Sequence, residues 1–275
     1  MLDRELEVAI AIAREAGAIL MEIYATDFAV AYKQPADPVT EADARANEHI
    51  VRRLRDAFPG DGIVAEETPD RRDGISGKGR CWYVDPLDGT KEFIKKNGEF
   101  SVMIGLAVDG SAELGVVYRP VGDKLYAGVV GSGARVEHEG DVRTLYVSDR
   151  AEPSSLRFVV SRSHRSAETD AFIETLGITE ERASGSVGLK VGIIAERDAD
   201  LYAHISSKSS AWDACAPDAI LRAAGGSFTD LAGDRFFYGG ESVANSRGIL
   251  ACGRAAFPHV LEAARAAGRA AGLLL

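Results

Sequence analysis

Cysteine is scarce: Cys81, Cys215 and Cys252 lie far apart, without CxxC spacing. That count excludes a disulfide framework and a structural zinc site and leaves three reduced core residues. Also missing is any apolar run of membrane-spanning length. The opening stretch MLDRELEVAIAIAREAGAIL begins with acids and is amphipathic, without the basic start and apolar centre of a signal peptide. The expectation is a cytoplasmic chain, monomeric or homodimeric. Positive charge is in deficit, with 32 Lys and Arg against 42 Asp and Glu and a net charge of −10. Nucleic-acid backbone and anionic membrane would both be repelled. A small phosphorylated metabolite stays compatible, because a bound cation reverses the local field in an acidic cleft. There is no internal repeat, no low-complexity tract and no GxxxxGK[ST] cradle.

What is present is core. At 275 residues and 46% hydrophobic, the chain can bury a sizeable interior as one large domain or two tightly packed halves, 1–150 and 151–275. Leu6, Ala9, Ile10, Ala13, Ala16, Gly17 and Leu20 fall near one face of a helix over 3–24. A strand over 28–33 and a loop, QPADP, precede Thr40, which reads as the N-cap of an amphipathic helix reaching about residue 58. After a short strand at 63–65 and a polar surface loop at 69–80, strands at 81–84, 100–108, 112–118, 124–130 and 142–147 are separated by turn signals. They predict an antiparallel meander. From about residue 155 strands and helices alternate: strand 156–161, helix 167–176, an apolar segment 187–195 and strand 199–204. A helix around 218–224, a strand at 248–252 and an alanine-rich terminal helix from about 256 close the chain.

The stretch WYVDPLDGTKEFIKKNGEF, 82–100, organises the rest. An apolar strand end delivers Asp85 and Asp88 into a turn containing Pro86 and Gly89. Two carboxylates three residues apart around a proline bend can face one hard cation, and Gly89 and Thr90 offer N–H groups and a hydroxyl to an anion. The plainer reading is a solvated turn built from ordinary turn residues. Asp43 either completes a capping box with Thr40 or points into the site. Glu66 and Glu67 either face solvent or join the acids of the next strand. Asp213, in the first turn of the helix begun by SSAWDACAP, either complements the helix dipole or serves a metal.

Glu66-Glu67, DPLDGT at 85–90, and WDACAP at 212–217 followed by AILRAAGG occur in that order across nearly the whole chain. Together they resemble the lithium-sensitive, magnesium-dependent phosphatase family of inositol monophosphatases, fructose-1,6-bisphosphatases and 3'(2'),5'-bisphosphate nucleotidases. DPLDGTKEFIKKNGEFSV and the CAP after WD are most similar to the nucleotidases. The resemblance implies an α+β fold, a layered αβαβα sandwich, and hydrolysis of a phosphomonoester by water activated at two or three Mg2+ ions. It implies Glu66, Asp85, Asp88 and Asp213 as metal ligands with the Leu87 carbonyl, and Asp43 and Thr90 as the pair orienting the attacking water, with Glu66 beside them. Such a mechanism needs neither a covalent phosphoenzyme nor a nucleophilic cysteine or histidine.

The implied substrate is adenosine 3',5'-bisphosphate, released as AMP and phosphate; the alternative is an inositol monophosphatase or a broad sugar phosphatase, fructose-1,6-bisphosphatase included. SRSH at 161–164 and GSVGLK at 185–190 are similar to nucleotidase segments that contact the nucleotide. They imply His164, Ser186 and Lys190 as substrate contacts beside Gly89 and Thr90, against plain readings of His164 as a surface loop residue and Lys190 as a solvated helix position. One departure is His204, where many nucleotidases carry arginine; a neutral imidazole holds phosphate less firmly than a guanidinium fork.

Overall fold

The computed structural model describes residues 2–34, 37–68, 78–240 and 242–275. Helix α1 (Asp3–Tyr24) turns Ala9, Ile12, Ala13, Ala16, Gly17, Leu20 and Ile23 inward. A ribbon of β1 (Val30–Gln34) and β2 (Asp37–Thr40) follows, antiparallel, where the sequence reads as one strand and a loop. Residues 35–36 of that loop, and residues 69–77 of the polar stretch at 69–80, lie outside the described residues. Thr40 caps α2 (Glu41–Ala57).

The first large sheet takes β3 (Gly62–Ala65), β4 (Arg80–Asp88), β5 (Ser101–Val108), β6 (Ser111–Arg119), β7 (Lys124–Val129), β8 (Gly133–His138) and β9 (Asp141–Leu145) in sequential spatial order. Among the described residues only β3 and β4 pair in parallel in it; the rest form an antiparallel meander as expected, with one strand more, β8, where the sequence reads none between 130 and 142. One short helix, α3 (Thr90–Ile94), grows straight out of the turn after β4. The second sheet has the order β11-β10-β12-β14-β13, built from β10 (Arg157–Ser161), β11 (Glu180–Ser184), β12 (Leu201–His204), β13 (Gly226–Thr229) and β14 (Ile249–Gly253). It is mixed: β10 runs parallel to β11 and β12, and β14 antiparallel to β12 and β13.

Three apolar layers separate the elements. The pair α1 and α2 packs on the outer face of the first sheet around Ile12, Leu20, Ile50, Trp82 and Ile104. Between the sheets lie α5 (Val187–Ala195) and α6 (Ala211–Ala223), with Tyr83, Val117, Tyr126, Val191, Cys215 and Ile220 in one core. The outer face of the second sheet is covered by α4 (Ala167–Leu176) and α7 (Phe257–Ala270) through Phe158, Phe172, Leu250 and Val260. The order is αβαβα, as expected.

Two glycines let α6 lie unusually low on the first sheet. Gly105 and Gly115 are cross-strand partners on β5 and β6. A Cβ on Gly115 would meet the Ala216 carbonyl oxygen at 2.1 Å, and one on Gly105 the Ala216 nitrogen at 2.6 Å. Backbone rests on backbone there, which no larger residue permits. The first turn of α6 is thereby brought to the end of β4. Among the described residues, no helix is long and apolar enough to cross a membrane.

Candidate active site

Four helix or strand ends converge: β3 delivers Glu66, β4 delivers Asp85 and Asp88, α2 delivers Asp43 and α6 delivers Asp213. The buried run of β4 carries Asp85 to 2% exposure. A bulge between Asp85 and Asp88 breaks the pairing with β5, so that both acids leave the ladder near one place. Leu87 N–H donates to Asp85 Oδ1 at 2.9 Å and fixes the bend. Gly89 follows with φ +99°, a left-handed conformation natural to glycine, and a Cβ there would meet the Glu99 carbonyl oxygen at 3.0 Å.

The carboxylates feel one another. Burial, then Glu66, Asp88 and Asp213, push Asp85 well above the usual carboxylate range. Burial, then Asp88 and Glu66, do the same to Asp213, opposed by the Ser210 N–H and a hydrogen bond with the Asp85 carboxyl. Asp88 is raised by burial and pulled back by Lys190 and by hydrogen bonds from Ser186 and the α5 backbone. Crowded acids of this kind are what a divalent cation relieves. The donor set is all oxygen, the chemistry that Mg2+ selects, so residue type fits. Among the described residues, no three acidic, imidazole or thiol groups already surround one point at ligand spacing. Asp85, Asp88 and Asp213 are instead each gripped by a protein donor: Leu87 N–H, Ser186 Oγ–H at 2.5 Å and Ser210 N–H at 2.6 Å, respectively.

Asp43 closes the capping box and also faces Thr90. Its Oδ2 accepts from Thr40 N–H and Thr40 Oγ–H, both at 2.8 Å, closing the capping box. Its Oδ1 lies 3.3 Å from Thr90 Oγ, which is also 3.3 Å from the Leu87 carbonyl. Burial raises Asp43 to about 6, against the pull of the Thr40 donors. The Thr90 hydroxyl has one proton to give, to Asp43 or to Leu87.

Beside the acids stands a polar patch from the second half of the chain. Ser186, with φ 42° at the N-cap of α5, links three groups: its Oγ donates to Asp88, meets buried Ser101 Oγ at 2.9 Å and accepts from Leu189 N–H. Lys190 is buried at 3% exposure, so it is no solvated helix position. Its Nζ donates to the Gly185 and Ser186 carbonyls and sits 5.0 Å from the Tyr202 ring centroid. Burial lowers it to about 8, opposed by Asp88 and Glu92. His164 is exposed on the loop after β10, where its Nε2 lies 2.9 Å from Lys91 Nζ. An ammonium only donates, so Nε2 accepts; although the residue as a whole is exposed, partial desolvation of the ring and then the Lys91 charge depress its pKa. His204, at the end of β12, has a buried Nε2 without a hydrogen-bond partner among the described residues, and burial, Lys190 and His164 bring it to about 4.

Sequence reasoning missed the supports. Ser101 pairs across the sheet with Asp88, and Lys91 follows Thr90 on α3. Glu99 accepts two hydrogen bonds from Arg162 at 2.6 Å and one from Gly185 N–H, tying the turn after α3 to β10 and α5. Only the closeness of Glu99 and Lys91 to the DPLDGT segment could have signalled them.

The model of the inositol monophosphatase family matches residues 1–269. The chain belongs to that family. Its members are phosphatases, and it is one. Over 235 residues, 85% of the chain and 93% of the relative, it is 38% identical to the 3'(2'),5'-bisphosphate nucleotidase CysQ of Salmonella typhimurium. The structure of CysQ from Bacteroides thetaiotaomicron is 31% identical, with TM-score 0.76 over 92% of this chain and 98% of that one. The Thermotoga maritima IMPase, 26% identical, superposes with TM-score 0.80 over 98% and 100%. The family fold is thus shared by relatives named for different substrates.

Proposed function

We propose that this chain is a cytoplasmic Mg2+-dependent phosphomonoesterase that hydrolyses adenosine 3',5'-bisphosphate to AMP and phosphate. The observation that carries the reading is the junction at Asp88: the acids of the first half meet Ser186, with Lys190 and the His164 loop behind it. A cluster that binds a cation is therefore flanked by cationic and hydroxyl groups suited to a second anionic group. The nucleotidase CysQ relatives support the same substrate class.

Glu66, Asp85, Asp88, Asp213 and the Leu87 carbonyl would hold two or three ions. Bound Mg2+ supplies Lewis acidity, making water acidic enough to attack and stabilising the oxyanion that leaves. The chain's own part is orientation. With its hydroxyl hydrogen-bonded to Asp43, Thr90 turns its oxygen to the attacking water and would accept the water proton as its own passes to Asp43. The water oxygen would bond to phosphorus as the bond to the ribose 3' oxygen breaks; the water proton would end on Asp43 by way of Thr90, and the leaving alkoxide would take a proton from solvent to become the hydroxyl of AMP. Gly89 and Thr90 N–H groups face the transferring phosphoryl group, while Ser186, Lys190 and His164 hold the nucleotide's second phosphate or adenosine.

The test is phosphate release, with Mg2+ and with chelator, from adenosine 3',5'-bisphosphate, inositol 1-phosphate and fructose 1,6-bisphosphate at matched concentrations. Preference for the nucleotide supports the reading. Preference for the inositol or sugar phosphate keeps the metal mechanism and overturns the substrate.

A further inference from the structure

The N-terminus of α6 is not held by its own first turn alone. A segment some thirty residues later, 243–245, runs antiparallel to 209–211. Ala211 N–H donates to the Val243 carbonyl at 2.7 Å and Asn245 N–H to the Ser209 carbonyl at 2.8 Å. Ser210 and Ala244 form an isolated β-bridge between them. The Asn245 side chain, 7% exposed, completes the attachment: its Nδ2 donates to the Ser210 carbonyl at 2.6 Å and lies 3.3 Å from Ser209 Oγ. Ser210 is the N-cap residue whose N–H holds Asp213 Oδ2. One residue is thus gripped on its carbonyl by Asn245 and on its amide by Asp213.

Packing behind the segment is incomplete: Val243 touches the core between the sheets, but little else does. A cavity of about 180 Å³, lined by Ala211, Phe236, Tyr238, Val243 and Asn245 among others, lies against it. Its place therefore depends largely on the polar contacts. Asparagine suits them: a neutral amide brings two N–H donors to two acceptors at once, which neither a carboxylate nor an apolar side chain can do.

We infer that Asn245 is a positioning residue for the active site: by holding Ser210 it sets the direction of the Asp213 carboxylate toward Asp85 and Asp88, and with it the affinity for a divalent cation. This rests on the reading of Asp213 as a metal ligand. If Asn245 only ties down a surface loop, its loss lowers the stability of the metal-free protein and leaves cation affinity alone.

The experiment is calorimetric titration of Mg2+ into the substrate-free chain, alongside the thermal midpoint of the metal-free protein. Asn245→Leu keeps the charge and the number of side-chain heavy atoms and removes both donors. It is expected to weaken Mg2+ binding about ten-fold, with little change in the metal-free midpoint. Asn245→His, whose Nδ1–H falls near the lost Nδ2, should recover part of the affinity. Unchanged affinity in Asn245→Leu overturns the proposal, as does a loss matched by an equal fall in metal-free stability. Should Asn245→Leu fail to fold, Asn245→His against Asn245→Ala decides: no tighter Mg2+ binding by the histidine variant overturns it. Asp213→Asn separates the underlying reading. If that variant binds Mg2+ normally, the ligand assignment fails; if it loses binding while Asn245→Leu does not, the ligand stands and the positioning role falls.

Discussion

Two helices enter the site through the same local device, and their first turns differ in what surrounds them. At α2, Thr40 at the N-cap and Asp43 at the third helical position form a capping box; at α6, Ser210 and Asp213 stand in the same relation, joined through the Ser210 N–H. Asp43 is enclosed by hydroxyls. Thr40 binds one oxygen and Thr90 the other, and Glu67 is the only carboxylate among the chief causes of its shift. Asp213 is enclosed by acids, and Asp88 and Glu66 push it upward after burial does. One motif therefore presents two chemistries: a carboxylate tuned to about 6 beside a hydroxyl, and a carboxylate crowded by other acids. A capping box fixes where the carboxylate sits, and the neighbours brought by other elements fix what it does.

The comparison breaks most visibly at α6. Asp213→Asn keeps an acceptor for the Ser210 N–H and removes the charge, so the fold should hold while Mg2+-dependent turnover falls roughly a thousand-fold, the scale of losing one electrostatic support of the transition state. Turnover within ten-fold of the parent would make Asp213 a cap and nothing more. At α2 the corresponding change is Thr90→Ala, which strips Asp43 of its outward partner. The chemical step should slow roughly a hundred-fold, as loss of a positioned proton-transfer partner does, with Mg2+ affinity unchanged. A single-turnover rate equal to the parent's would remove Thr90 from the mechanism.

The contrast was half legible in the sequence. Thr40, followed by Asp three residues on, announced the start of α2, the helical pattern after SSAWDACAP placed Asp213 in a first turn, and the apolar runs of β4 to β7 announced the meander. Elements that hide their pattern were missed. β11 reads EERAS, an edge strand whose exposed charges discourage further pairing and look like loop. β2 contains Pro38, allowed because the ribbon has only edges. α3 is five residues long, too short for a helical period to show. The plain reading of Lys190 as a solvated position stayed open beside its reading as a substrate contact, because nothing in GSVGLK reveals that Tyr202, on another element, will lie beneath its ammonium. Asn245 sits in NSRG, which reads as a turn, and its tie to Ser210 is a tertiary fact.

pH separates the helices further, because α6 carries a second buried acid. Asp218 accepts from Tyr238 Oη at 3.0 Å and is raised by burial to about 7, against the pull of Arg222. A carboxyl raised in the folded state stabilises the fold below its unfolded pKa and loses that contribution as pH rises through the folded one. The metal-free protein should therefore lose stability between about pH 4 and about pH 7, by an amount on the order of a few kcal/mol from this group. Asp218→Asn, neutral throughout, should flatten the decline in denaturant midpoints measured across that window. An equally steep decline in the variant would assign the effect to other acids.

The smallest change sharpens the comparison from the α2 side. Thr40 Oγ accepts from Ala42 N–H at 3.2 Å and donates to Asp43 Oδ2 at 2.8 Å, so Thr40→Ala removes a cap and one of the two bonds holding that oxygen. Loss of such a cap costs about 1 kcal/mol. The Thr40 N–H still holds Asp43 Oδ2 at 2.8 Å, so the carboxylate should keep its direction toward Thr90. Stability should fall by that amount in urea titration, turnover should fall only a few-fold, and Mg2+ affinity should not move. A loss of turnover as large as that of Thr90→Ala would mean that the hydroxyl of Thr40, and not its backbone amide, aims Asp43. The box at α2 would then be as much a part of the reaction as the one at α6.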